Sequence, residues 1–417
     1  MKVCQVCKKE RCDKLIDFGK HPICHKFTNG KEEEEKYPLT LGQCQFCGVV
    51  QLTSPIPIDK LVPRYDWITY NEPEEHLDHL VDVIANLPGI TKESIICGVS
   101  YKEDTTLTRL NRLGFKDTWR IDMNEDLGIG NSKANLESIQ HHIRPNIVNS
   151  IHQKYGVPDL IIVRHILEHT HDTLGFMSAL KKLVNPSGYI IFEVPDCTKG
   201  FEKLDYTTIW EEHTLYFTDA TFKICLNTGG FSLHYFEKYN YPFESVLIGI
   251  VKPNNIESAL KPFLMDEYAL TSEIKRVQLF TKQLTQKQNN IRKFLENFKK
   301  VAPKLKRLYV TGGEPSIIEA NTKIINHLID IGNKECHVSF TTNLTTWNLD
   351  LYEKLEFFDR SDLATIKTPN PSKMVEGYEG TASVSEAAAI KSSGGNLIVE
   401  KQKFPPDLTI AIARINE

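Results

Sequence analysis

A chain of 417 residues is long enough for two or three domains of roughly 100 to 200 residues each. With 25% charged residues and a formal net charge of −4, it lacks the basic footprint of a nucleic-acid binder. No apolar run approaches the roughly 18 to 20 residues that span a bilayer, and Met1-Lys2-Val3-Cys4 opens no apolar signal region. A cytoplasmic protein is expected, and in that compartment clustered cysteines read as metal ligands rather than disulfides.

The first fifty residues are bracketed by Cys4-x-x-Cys7 and Cys44-x-x-Cys47. Each pair can turn two thiolates onto one ion, so Cys4, Cys7, Cys44 and Cys47 are expected to form a tetrahedral zinc site. Four protein ligands leave no open position, which makes the zinc structural. Cys12, Cys24, His21 and His25 are spare candidates, better read as packed or solvent-exposed side chains. The run Lys31 to Lys36, with four consecutive glutamates, reads as a solvated loop.

Arg64-Tyr-Asp-Trp-Ile-Thr-Tyr70-Asn-Glu-Pro-Glu-Glu-His76 gathers aromatics, carboxylates and a histidine. It suits either the wall of a polar ligand site or a domain junction. Leu77, Leu80, Val81 and Ile84 then follow at helical spacing. Ser94 to Ser100 reads as a buried strand running into a turn at Gly98, and Leu107, Leu110 and Leu113 mark a helix ending at Gly114. Thr118 to Asp122 is a second strand, ending in an acid. That order is the plan of a nucleotide-binding α/β unit, in which the acid accepts hydrogen bonds from ribose hydroxyls. Only one glycine stands in the turn, and a plain βαβ unit has the same pattern.

Asp159 to His165 reads as a third strand, with Glu168, His169, His171 and Asp172 beyond its carboxyl end. A helix over 173–184 and a fourth strand over Tyr189 to Pro195 follow. Near-continuous apolar runs alternating with helices predict a parallel sheet covered on both faces, with ligands beyond the carboxyl ends of its strands. Those ends hold Gly98, Asp122, His165 and Asp196. Just downstream lies Trp210-Glu211-Glu212-His213-Thr214-Leu215-Tyr216-Phe217. Carboxylates beside an imidazole, closed off by aromatics, are what removal of a proton near neutral pH requires, although half-buried loops carry similar residues. Phe243 to Val251 reads as a closing strand. A long charged helix is expected over 256–299, and from Lys306 strands at Arg307–Thr311 and Val338–Asn343 predict a small C-terminal α/β domain.

Taken together, the two cysteine pairs followed by Gly48-Val49-Val50-Gln51-Leu52, Arg164-His165-Ile166-Leu167-Glu168-His169, Glu193-Val194-Pro195-Asp196 and Glu212-His213-x-x-Tyr216-Phe217 resemble the S-adenosylmethionine (SAM)-dependent sugar C-methyltransferase family. The resemblance covers residues 1 to about 251. It implies a small N-terminal zinc-binding domain (1–62), a Rossmann-like class I methyltransferase domain (63–255), a connecting helix (256–305) and a C-terminal α/β domain (306–417). It also implies that His213 removes a proton alpha to the keto group of a nucleotide-linked 4-keto-deoxysugar, with Glu212 as its partner, and that the resulting enolate carbon takes the methyl group of SAM.

The candidate catalytic residues are His213, Glu212, His165 and Tyr70. The candidate cofactor residues are Gly98, Ser100, Lys102, Asp122, Arg164 and His165. Zinc is structural, the partner is a nucleotide-sugar substrate, and a monomer or homodimer is expected. Gly98-Val99-Ser100-Tyr101-Lys102-Glu103-Asp104 departs from the family's Gly-Ser-Asn-Asp-Gly type loop, and Trp210-Glu211 stands where Tyr-His is common. A non-catalytic scaffold on a decayed methyltransferase fold is the alternative. Thr311-Gly312-Gly313-Glu314-Pro315 resembles part of a radical SAM enzyme, but no Cys-x3-Cys-x2-Cys is present to hold an iron–sulfur cluster, so it reads as an echo of that fold.

Overall fold

Strands β6 (Leu160–Arg164) and β7 (Tyr189–Asp196) are buried at every residue, as the apolar runs of a sheet covered on both faces require. The computed structural model describes residues 2–26, 35–63, 72–130, 135–206, 208–241, 245–254, 266–311, 319–342, 349–359, 361–366, 379–382 and 411–412. In chain order the other strands of the first 284 residues are β1 (Cys12–Pro22), β2 (Lys36–Cys44), β3 (Val50–Leu52), β4 (Ile95–Gly98), β5 (Asp117–Arg120), β8 (Leu215–Tyr216), β9 (Phe231–Tyr239) and β10 (Ser245–Pro253).

Six of these strands form one sheet in the order β5-β4-β6-β7-β10-β9. The first four run parallel, and β10 is inserted antiparallel between β7 and β9. This is the Rossmann-like sheet of class I methyltransferases. Helices α1 (Ile58–Leu61), α2 (His76–Ala85), α3 (Asp104–Arg112), α4 (Leu136–His142), α5 (Val148–Tyr155), α6 (Thr173–Leu183), α7 (Thr198–Lys203) and α8 (Asp219–Thr228) lie between the strands in sequence. Two apolar clusters pack on the sheet. One includes Ile161, Val163, Phe176 and Phe192, and the other Leu77, Leu80, Ile162 and Ile191, so alternate residues of β6 and β7 enter opposite clusters, as the strand period of two demands.

The N-terminal residues make a second sheet, β1-β2-β3-β8, with every pair antiparallel. Its last strand comes from beyond β7, so the segment after the methyltransferase strands closes the N-terminal ribbon. Tyr216 there packs with Ile16, Leu41, Val50 and Leu52, and with Val277, Phe280 and Leu284 of α9 (Glu267–Val301). The expected connecting helix is thus α9, whose early turns belong to this core.

The chain divides into two compact units, 1–284 and 285–417. The second holds β11 (Arg307–Thr311), β12 (His337–Thr342), β13 (Ser361–Ile366), β14 (Glu379–Ala382) and β15 (Ala411–Ile412) in the order β14-β13-β12-β11-β15. All its neighbours are parallel except β14, and α10 (Glu319–Asp330) contributes Ile324, Ile325 and Leu328 to its core. Most of the Thr311–Pro315 motif lies outside the described residues. No helix among the described residues is long and apolar enough to cross a membrane.

Gly98 ends β4 where α3 passes closely. A Cβ there would stand 2.9 Å from Glu103 Cβ and 3.1 Å from Leu107 Cδ1. Gly98→Ala is therefore expected to lower unfolding free energy by about 1–3 kcal/mol through overpacking, measured as an earlier urea midpoint with an unchanged slope.

Candidate active site

The cysteine pairs converge as the spacing predicts. Cys4 Sγ lies 3.6 Å from Cys47 Sγ, and Cys7 Sγ lies 3.6 Å from Cys44 Sγ, with all four sulfurs within 4.8 Å of one another. A tetrahedron with Zn–S bonds of about 2.3 Å has S···S edges of about 3.8 Å, so the residues fit zinc. The two pairs share one turn geometry. Lys8 and Gly48 have φ of 57° and 75°, and their amides donate to the carbonyls of Cys4 and Cys44 at 3.1 and 2.9 Å. Cys12 stands outside this set, buried in β1 opposite Cys44.

At the carboxyl end of β6, Arg164 is buried and forks onto Glu193 of β7, with Nε to Oε2 at 2.8 Å and Nη2 to Oε1 at 3.1 Å. Its Nη1 donates to the carbonyl of Lys102 at 2.6 Å. His165 follows with φ of 51°, a left-handed conformation uncommon outside glycine, of the kind that clusters at functional sites. Its Nε2 is 3.0 Å from Glu193 and its Nδ1 is 3.4 Å from Glu168. Burial opposes the charged ring, but Glu168 and Glu193 outweigh it and push His165 up to about 10. His169 meets Glu137 through Nδ1 at 2.6 Å. There too burial opposes the charge, and Glu137 raises the group to about 9. Glu193 carries the opposite sign: against the cost of its own burial, Arg164, His165 and His76 hold it well below the usual carboxylate range.

His213 lies against this cluster. Its ring meets that of His169 edge-on at 4.7 Å and stacks on Trp210 at 5.5 Å. The side-chain donor atoms of Glu168, His169 and His213 fall within 4.8 Å of one another, and both Glu168 oxygens are buried without a hydrogen-bond partner among the described residues. Burial first, and then the neighbouring His169 and His165, hold the His213 imidazole well below its usual range.

Thr214 fixes the position of this ring. Its amide donates to the Glu168 carbonyl at 2.8 Å and its hydroxyl to the Thr170 carbonyl at 2.6 Å, while its own carbonyl accepts from the amide of Leu52 at 2.9 Å. The Tyr216 hydroxyl donates to the Trp210 carbonyl at 2.8 Å and closes the turn.

The expected cofactor residues sit at the carboxyl ends of β4, β5 and β6. Asp122, just past β5, is exposed, and one of its oxygens accepts from the amides of Asn124 and Glu125 at 2.9 and 2.8 Å. An exposed carboxylate there fits ribose hydroxyls. Ser100 and Glu103 form a capping box, with the Ser100 hydroxyl donating to Glu103 at 2.9 Å. Lys102 pairs with Glu72 at 2.6 Å. Three features differ from the sequence reading. Gly98 is required by helix packing, Arg164 turns inward onto Glu193, and Glu212 pairs with His25, Oε1 to Nδ1 at 2.6 Å, rather than with His213. Tyr70 lies outside the described residues. Glu137, Glu168 and Glu193 were not among the expected site residues: Glu137 and Glu193 meet His169 and Arg164 from 32 and 29 residues away in sequence, while Glu168 meets His165 from three residues away.

A zinc binding domain model matches residues 4–61, a methyltransferase domain model matches 103–235, and a cobalamin synthesis G C-terminus model matches 319–413. The chain carries the fold of SAM-dependent methyltransferases. C-methyltransferase NovU of Streptomyces niveus is 21% identical over 220 residues, 52% of each protein, so the chain spans about half the length of this curated relative. Among solved structures, magnesium protoporphyrin IX methyltransferase of Synechocystis, with bound S-adenosylhomocysteine, is 17% identical, with a TM-score of 0.30 over 43% of this chain and 83% of that one. The 1,6-didemethyltoxoflavin-N1-methyltransferase of Burkholderia thailandensis is 10% identical, with a TM-score of 0.27 over 50% and 96%.

A histidine raised on folding stabilises the native state below its unfolded pKa of about 6.5 and loses that contribution as pH rises through its folded value. For His165 the loss spans about 6.5 to about 10. The stability difference between wild type and His165→Gln, from urea unfolding, should therefore shrink across that range.

Proposed function

We propose that the protein is a SAM-dependent C-methyltransferase whose acceptor is a nucleotide-linked keto-deoxysugar. The observation that carries this reading is the position of His213. It stands beyond the carboxyl ends of β6 and β7, on the side where ligands of such sheets bind, in a turn locked by Thr214 and Tyr216. The distant relationship to a C-methyltransferase supports carbon as the methylated atom.

SAM supplies an electrophilic methyl group when bound. Asp122 would hold its ribose, and Ser100 and Lys102 frame the adjoining loop. His213 takes the proton alpha to the acceptor carbonyl. The protonated His165 and His169 place positive charge beside the developing enolate, where fixed charge in a buried site is most effective. Arg164 and Glu193 hold His165 in place, and Glu212 fixes the base-bearing segment through His25. Tyr70 completes the catalytic set. The alternative of a scaffold without turnover draws on the Ser100–Glu103 capping box and the Lys102–Glu72 pair, which occupy the loop's own polar groups.

A transfer assay with methyl-labelled SAM and 4-keto-deoxysugar nucleotides separates these readings. His213→Ala should reduce turnover by about 100-fold or more while SAM affinity, measured by calorimetry, is retained. Unchanged turnover removes the base assignment, and absence of SAM binding by the wild type selects the scaffold.

A further inference from the structure

The ribbon tip beyond β1 carries a second cluster of metal-ligating side chains. Cys24, His25 and Glu212 each offer one donor atom, and the three atoms lie within 4.8 Å of one another. They join two segments far apart in the chain, and the backbone amide of Cys24 donates to Glu211 Oε1 at 2.5 Å across the same junction. His25 is 2% exposed and Glu212 4%.

The His25 ring is the decisive observation. Its Nδ1 lies 2.6 Å from Glu212 Oε1, yet the approach lacks hydrogen-bond alignment, and neither ring nitrogen has a hydrogen-bond partner among the described residues. Burying a polar atom without a partner costs about 1–3 kcal/mol. Three ligating atoms from two distant segments thus converge on one point, as in a ligand shell.

We propose that Cys24, His25 and Glu212 bind a second divalent cation of the zinc class, separate from the four-cysteine centre. Thiolate, imidazole and carboxylate are all zinc ligands, and three of them leave a fourth position open. The thiolate disfavours magnesium and calcium, which take oxygen ligands. The ion clips the ribbon tip to the residue preceding His213. This inference stands independently of the methyl-transfer reading, because its readout is metal content.

The 417-residue chain, loaded with zinc and dialysed against metal-free buffer, should contain two zinc ions per chain by mass spectrometry. His25→Ala and Glu212→Gln should each contain one. Cys24 is exposed, so Cys24→Ala leaves the core untouched and decides the matter if the buried variants misfold. It too should fall to one, with its far-ultraviolet circular dichroism unchanged. One zinc in the wild type, or two that persist in Cys24→Ala, overturns the proposal. Loss of turnover with both zincs retained would count against the enzyme reading alone.

Discussion

The candidate site depends on one residue's backbone and hydroxyl. Thr214 bonds on one side to Glu168 and Thr170, at the exit of β6, and on the other to Leu52 of the N-terminal ribbon. Its neighbour His213 is therefore placed by two sheets at once. Loops ordinarily owe their position to a few contacts and are among the least stable parts of a protein. Here the loop becomes a strand, since Leu215 and Tyr216 pair with Gln51 and Val50. The ribbon that receives them is itself held by the four cysteines. A four-cysteine centre that takes no part in the proposed chemistry thus helps set where the proposed base stands.

Beneath that segment, charge is buried at a cost that only mutual pairing offsets. Glu193 faces Arg164, His165 and, at 3.3 Å, His76, while Glu137 answers His169. The left-handed backbone of His165 is sustained by this surrounding network. Removing Glu193 would cost Arg164 its forked carboxylate and His165 one of its two carboxylate neighbours in a dry interior, so this residue belongs to the architecture of the site as much as to its electrostatics. The same network explains why Arg164 faces inward.

What the sequence made legible was local. Two Cys-x-x-Cys pairs specify a thiolate site because each turn places its own sulfurs. Unbroken apolar runs specified β6 and β7 because a doubly covered strand has no polar face. The octapeptide at 210–217 was visible as a cluster of acid, imidazole and aromatics, and its place after β7 was correctly inferred. Contacts between distant segments were not legible. Nothing near Glu212 announces His25, just as Cys24 and Glu211 meet across 187 residues. The pairing of β8 with β3 joins pieces that read as separate domains. Gly98 illustrates a different limit: a turn glycine looks the same in sequence whether it admits a ligand or, as here, the side chains of Glu103 and Leu107.

The central claim is that the four-cysteine centre positions the base-bearing segment through Thr214 and β8. Amide hydrogen exchange of residues 210–217, compared between zinc-loaded and zinc-stripped protein, tests it most directly. The account predicts slow exchange of the Thr214 and Tyr216 amides with zinc and much faster exchange without it, while β7 stays protected in both. Equal protection of residues 210–217 in the two states would contradict it.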